Sequence, residues 1–319
     1  MNIEAVRALE PTFCRAPSAH NTQPWTLTYR DDHVEIGWEP DRALPVSDSG
    51  ARDLMMSLGA FVESCLIACA DSGLAIAFES DPADRRIGRL VAAPVTYETP
   101  YSSDDLHRRT THRGRYRPGP LSKTLRSRLT GIANAAHAEL RFLPCDAASS
   151  LVRQADRHLF STPPVVRELR DWLRLTPHHP RYRRDGLTAA ALGLTRFESR
   201  GLRVALTGYP VLRPLGLPRL LAAQTRFDDD GELFVLIADP ADPIEAGRVL
   251  LRIWLELSRH DHTTHPLSQI IDCPATRADL GDLLGIADPD SMLHIARAGR
   301  PATLPAPSFR RPAGGFPAN

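Results

Sequence analysis

Apolar residues along the chain follow two periods. Residues 26–30 and 33–38 alternate apolar and polar around Asp31-Asp32, the pattern of two short strands joined by a tight turn. Residues 54–70 carry Leu54, Met55, Met56, Leu58, Phe61, Val62, Leu66 and Ile67, which go all round a helix instead of forming one stripe. That arrangement predicts a helix buried on every side. Residues 74–79 and 87–92 read as strands, so the first half is expected to run helix, hairpin, helix, strand.

The stretch 94–120 is irregular and polar, and a boundary between halves is expected near residue 105. Beyond it, 121–133 suits a helix, 139–143 a strand and 164–175 a helix. Residues 176–230 are rich in Arg, Pro and Gly without a period and read as an inserted lid. A strand at 233–238 follows the turn Asp228-Asp229-Asp230-Gly231. A second helix at 244–258 is apolar nearly all round (Val249, Leu250, Leu251, Ile253, Trp254, Leu255, Leu257), and 293–298 reads as a last strand before a proline-rich tail. The expected fold class is α+β. Two pseudo-symmetric halves, 1–105 and 106–319, would carry mixed or antiparallel sheets around one long buried helix each, with the lid and a Pro-rich C-terminal arm added to the second.

Composition narrows the function classes. A hydrophobic share of 42% with 24% charged residues is that of an ordinary soluble protein. No apolar run was expected to approach the ~20 residues that span a bilayer. Residues 1–12 lack a basic segment followed by an apolar one. These features predict a cytoplasmic protein with no membrane partner. A formal net charge of +1 gives no overall field for nucleic acid, so none is expected as a partner. The five cysteines are scattered, without a CxxC pair, and read as reduced thiols. Lys123 is the only lysine among 39 basic residues, so the fixed positive charges are guanidiniums, whose planar forks suit phosphate oxygens.

Three segments concentrate chemistry. In Arg15-Ala16-Pro17-Ser18-Ala19-His20-Asn21-Thr22-Gln23-Pro24-Trp25, a hydroxyl, an imidazole and two carboxamides fall within six residues. Such a loop presents donors and acceptors to a flat heteroaromatic edge; the blander reading is an Asn-containing turn capping a helix. In Arg108 to Tyr116, Arg109, Thr111 and Arg113 alternate, so an extended backbone puts all three on one side as a phosphate clamp; otherwise they form a solvated basic patch. The third segment, His260-Asp261-His262-Thr263-Thr264-His265, has the His-x-His-x-x-His spacing of a zinc site. Thr264 stands where an Asp is usual and the segment follows a helix, so no metal is expected and these histidines are placed at a pocket or its rim. GxGxxG, Walker and GxSxG motifs are absent.

The loop APSAHNTQPW resembles that of the nitroreductase family, roughly Ala-Pro-Ser-x-x-Asn-x-Gln-Pro-Trp. With His before Asn it is most similar to the Acg-like branch, in which one chain holds both halves of what is elsewhere a homodimer. Arg109-x-Thr111-x-Arg113 is similar to the family's Arg-x-Ser-x-Arg phosphate segment. The helix from Glu245 followed by Pro266-Leu267-Ser268 matches the place where a loop meets the flavin N5, and Arg310-Arg311 resembles a C-terminal basic pair that completes the phosphate site. The resemblance implies a nitroreductase-like fold and one FMN held by Ser18, Asn21 and Gln23 from the first half and by Arg109, Thr111 and Arg113 from the second, with Pro266, Leu267, Ser268, Arg310 and Arg311. His20 would face substrate, and no catalytic side chain is assigned. It further implies hydride transfer from NAD(P)H through N5 to a nitroaromatic, quinone or other conjugated acceptor, in a monomer or homodimer. The alternatives are an Acg-like flavin-sequestering protein without turnover and a biosynthetic flavin-dependent dehydrogenase.

Overall fold

The computed structural model describes residues 1–224 and 230–312. Asp228 and Asp229 of the expected turn and the end of the proline-rich tail lie outside the described residues. Helices α1 (Ile3–Ala8) and α2 (Glu10–Phe13) lead through the Ser18 to Gln23 loop into strands β1 (Trp25–Tyr29) and β2 (His33–Trp38). Helix α3 (Arg52–Asp71) precedes strands β3 (Ile76–Ala83) and β4 (Arg86–Ala92), which complete an antiparallel sheet in the order β1-β2-β4-β3. Its register pairs Trp25 with Trp38 and Tyr29 with Val34. The burial of β2 alternates, so this sheet packs on one face only.

After α4 (Ser103–Arg108) and α5 (Lys123–Asn134) come β5 (Glu139–Pro144), α6 (Cys145–Ser161) and α7 (Pro163–Trp172). The two-residue strands β6 (Leu173–Arg174) and β7 (Leu187–Thr188) pair parallel and hold the base of the insert, which continues as α8 (Arg196–Thr207), α9 (Tyr209–Leu212) and α10 (Leu217–Gln224). The chain then forms β8 (Glu232–Ile237), α11 (Pro243–Arg259), β9 (Thr263–Pro266), α12 (Gln269–Asp272), α13 (Pro274–Leu284) and β10 (Met292–Gly299). The second antiparallel sheet runs β5-β8-β10-β9. All eight residues of β10 are buried, because α5 and α11 cover one face of this sheet while α6 and α12 cover the other.

The two long helices form the centre. Helix α3 packs against the first sheet, and Leu251 and Leu255 of α11 join that same core, while Met56 of α3 enters the core of the second sheet. Glu63 of α3, fully buried, is held by Arg248 and Arg252 of α11 at 2.8–3.0 Å and by the Tyr97 hydroxyl. Contrary to the expectation from sequence, α3 is long and apolar enough to cross a membrane by length and composition, with a mean hydropathy of 1.6. It is a core helix: 83% of that stretch is buried inside the protein.

Other departures have a common cause. Helices α6 and α13 were not expected, since their buried faces consist mostly of small or polar residues, with Leu151 and Val152 the large apolar side chains buried on α6 and Leu280 on α13. Strand β9 lies inside the histidine segment, where threonines make the pairing and no apolar alternation announces it.

A cavity lined by both halves

The Ser18 to Gln23 loop is backbone-strained. His20, Asn21 and Gln23 all take left-handed φ values of 49°, 56° and 53°. Each such residue costs about 1–2 kcal/mol and persists only where its surroundings enforce it. Here they do. The Gln23 N–H donates to Ser18 Oγ at 2.9 Å, and Trp25 stacks on Phe61 of α3 with centroids 4.6 Å apart. Asn21 Nδ2 donates to the carbonyls of Gly186 in the insert and Phe309 in the C-terminal arm, while its Oδ1 accepts from Arg310. Gln23 donates to Arg184 O at 2.8 Å and accepts from the Arg311 N–H at 2.8 Å.

Ser18, His20 and Asn21 line a cavity of about 340 Å³, and so do Arg109, Thr111 and Arg113. Residues some ninety positions apart thus share one space. The clamp segment is extended as expected: Thr111 forms a parallel bridge with Thr264 beside β9, and the His112 N–H donates to Thr264 O at 3.0 Å. His112 turns the other way, onto Arg115 O and the Tyr116 ring.

The charges here are uncompensated. Arg109 is 4% exposed, its Nη1 has no hydrogen-bond partner, and neither has the buried Nε of neighbouring Arg15. Among the described residues neither these two nor Arg113 and Arg310 pairs with a carboxylate. Burial, reinforced by Arg15, pulls the Arg109 guanidinium down to about 10; burial pulls Arg113 to the same value. Isolated buried cations are costly, so such a group marks an anion site. Arg310 and Arg311 are already engaged. Arg310 donates to Cys14 O, Arg15 O, Ala16 O and Asn21 Oδ1, and Arg311 pairs with Glu39 at 2.8 Å. They strap the arm down, and Arg310 also lines the cavity.

A second region of the same cavity is acidic. Pro266 and Ser268 line it as expected, with Asp48, Asp53, Asp272, Trp254 and His294. Asp53 and Asp272 share Arg52, each accepting from Nη2 at 2.8 Å. Burial and the adjacent Asp53 push Asp272 up to about 7; burial and the same neighbour push Asp48 up to about 6. Burial also pushes His294 down to about 4, leaving a neutral imidazole with its Nε2 unpartnered. Trp254 links the two regions. The Arg109 guanidinium carbon lies 5.5 Å from the Trp254 ring centroid, and the His294 and Trp254 ring centroids are 5.6 Å apart. His20, between Arg113 and Asp53 in electrostatic reach, is pushed down to about 4 by burial and by Arg113.

Gln23 and Leu267 do not line the cavity. Gln23 is 1% exposed and spends its side chain on backbone, and the Leu267 N–H donates to Ile295 O at 2.9 Å. Of the three histidines with zinc-like spacing, His265 lines the cavity, whereas His260 bonds Glu256 and His262 bonds the His260 carbonyl. Among the described residues no three metal-binding side chains gather. Sequence reasoning missed Arg15, Asp53, Asp272 and His294. Arg15, directly before the loop, had only the general excess of arginine to signal it.

No family model matches the chain. Over 70 residues, 22% of its length, the chain is 37% identical to the putative NAD(P)H nitroreductase Rv3131 of Mycobacterium tuberculosis, covering 20% of that protein. Over 79 residues it is 30% identical to the putative NAD(P)H nitroreductase acg of the same species, covering 24% of it. The matches thus span between a fifth and a quarter of these relatives. Among solved structures, the FMN and NADPH-dependent nitroreductase NfnB from sphigopyxis sp. strain HMH aligns with 63% of this chain and 88% of its own, at 18% identity and a TM-score of 0.33. Over these segments the chain is similar in sequence to proteins named as putative NAD(P)H nitroreductases, acg among them.

Proposed function

We propose that this protein is an FMN-binding oxidoreductase whose flavin lies in the cavity between two nitroreductase-like halves that meet near residue 105. The observation that carries the reading is a group of guanidiniums without a carboxylate partner among the described residues: Arg109, buried, and Arg113, half-buried, line the cavity, and half-buried Arg15 lies next to Arg109. A phosphate monoester supplies the missing negative charge and accepts from the orphaned N–H groups. Arg109, Thr111 and Arg113 would hold it, with Arg15 behind them, and Ser18, Asn21, Pro266 and Ser268 would border the ring and ribityl chain.

Bound there, the flavin supplies two-electron transfer between NAD(P)H and a small conjugated acceptor such as a nitroaromatic or quinone. The chain's own residues bind, orient and exclude water. Leu187, Ala191 and Leu192 of the insert wall off the cavity, and Trp254 offers a flat apolar surface. Asp272, whose carboxyl burial and Asp53 push up to about 7, sits at the cavity wall as a group that could exchange a proton there.

A second reading, flavin sequestration without turnover, is favoured by how the site is closed. Asn21 ties the loop to both the insert and the arm, and Arg113 donates to Ala191 O of the insert. Anaerobic addition of NADPH to the purified FMN complex separates the two. Bleaching of the flavin absorbance within seconds supports the reductase; no bleaching over minutes supports sequestration. A colourless protein that takes up no added FMN contradicts both.

A further inference from the structure

The insert has two faces of opposite character. Inward, Leu206 of α8, Tyr209 of α9 and Leu217 of α10 pack on Val166, Leu173 and Leu187 in a small core of their own. Outward, Phe197 is 86% exposed, Val204 65%, Val211 73%, Leu215 78% and Leu220 57%. Phe197 and Val204 are seven residues apart, two turns of α8, and so form a stripe on one face of it; beyond the helix end at Gly208, Val211, Leu215 and Leu220 are exposed as well. Soluble surfaces seldom collect large apolar side chains in this way, and such patches mark interaction sites.

Arginines flank the stripe. Arg196, Arg200, Arg203, Arg213 and Arg219 are all exposed, and among the described residues none pairs with a carboxylate. The one acid between residues 196 and 220 is Glu198, which accepts from the N–H and hydroxyl of Thr195 in a capping box. In a chain of net charge +1, this face is a local concentration of positive charge.

We propose that the outer face of the insert docks on an anionic lipid surface. A cationic amphipathic helix lies in the plane of a bilayer interface, its apolar side chains among the acyl chains and its guanidiniums at the phosphates. A second copy of the chain fits poorly, because pairing two such faces sets ten arginines against no more than the two copies of Glu198. Nucleic acid fits poorly too, because the exposed apolar residues are aliphatic except Phe197 and offer no stacking ladder. The expectation of no membrane partner rested on the lack of a spanning run and on a net charge of +1, which gives no whole-protein field for anionic lipid; surface docking needs no spanning segment, and the positive charge it uses is local to this face. Leu187, Thr188, Ala191 and Leu192 of the same insert line the cavity, so docking sets the cavity beside the bilayer.

Vesicle flotation of the full chain tests this. The protein is expected to float with vesicles containing one third phosphatidylglycerol, and at least about tenfold less with pure phosphatidylcholine. The double variant Phe197→Ser, Val211→Ser should lose about tenfold or more of that binding, with an unchanged thermal melt because both side chains already face solvent. Arg200→Gln, Arg203→Gln should weaken binding and flatten its salt dependence. Equal flotation with both vesicle types, or none with either, overturns the proposal. So does a dimer in sedimentation that Phe197→Ser dissolves, or retention on RNA in place of vesicles.

Discussion

Gly59 of α3 and Gly247 of α11 occupy equivalent places in one helix crossing. A Cβ added at Gly59 would lie 2.0 Å from the Ile244 carbonyl oxygen, and one added at Gly247 would lie 2.1 Å from the Met56 carbonyl oxygen. Each glycine therefore meets the residue three positions before the other. This reciprocity is the signature of an isologous contact, here within one chain. The two backbones touch, and the cavity opens beside them through Met56, Ala60, Leu250 and Trp254.

A methyl group at either glycine has nowhere to go, since the obstacle is backbone. Gly59→Ala and Gly247→Ala are each expected to destabilise the fold by about 2–3 kcal/mol, read as a lowered midpoint in urea. The double variant should lose less than the sum, because once the helices have moved apart the second methyl meets an opened interface.

Glu63 holds the other end of the same crossing. Glu63→Gln removes a fully buried carboxylate and leaves the half-buried Arg248 and Arg252 with Glu245 as their remaining carboxylate. Breaking a buried pair in this way costs about 3–5 kcal/mol, and a thermal melt shifted down by many degrees is expected.

Arg109 separates binding from stability. In the apo-protein, Arg109→Gln removes a buried cation that Arg15 repels, so the melt should stay level or rise. With FMN, the loss of a charge-assisted contact worth about 1.5–3 kcal/mol should weaken binding by about tenfold to hundredfold. Calorimetry with and without FMN reads both effects. A packing role alone would lower the apo melt instead.

The acidic region makes stability depend on pH. Asp272 and Asp48 have folded values raised to about 7 and about 6, so the folded state holds protons that the unfolded chain releases. Stability is then lost as pH rises from about 4 to about 7. Asp53, held below the usual range by Arg52 although burial opposes it, acts with the opposite sign and only at lower pH. Asp272 keeps 31% of its side-chain exposure, toward the cavity, so screening limits the effect. Asp272→Asn should be neutral near pH 4 and stabilising by on the order of 1 kcal/mol at pH 8. Melts of the two proteins across that range would diverge with rising pH; parallel curves would contradict the assignment.

Much of this architecture could be read from the order of residues. All-round apolar patterning located α3 and α11, the Asp31-Asp32 turn located the first hairpin, and strict alternation put Arg109, Thr111 and Arg113 on one side. Each is a local signal. What stayed hidden depends on tertiary context. Asn21 and Gln23 carry the right chemistry for a ligand edge, yet Gln23 is spent on the insert and arm, a fact set by chain more than 150 residues away. The same holds for Arg310, whose guanidinium caps carbonyls of the N-terminal loop. Asp53 and Asp272 look like ordinary helix-end acids until folding brings them to one arginine.

The central claim is that the buried arginines bind a phosphate attached to a flavin. Equilibrium titration of the apo-protein with FMN and with riboflavin, which lacks only the phosphate, tests it most directly. The account predicts that FMN binds at least about a hundredfold more tightly and that Arg109→Gln narrows this gap to about tenfold or less. Equal affinity for the two flavins, or a gap untouched by Arg109→Gln, would contradict it.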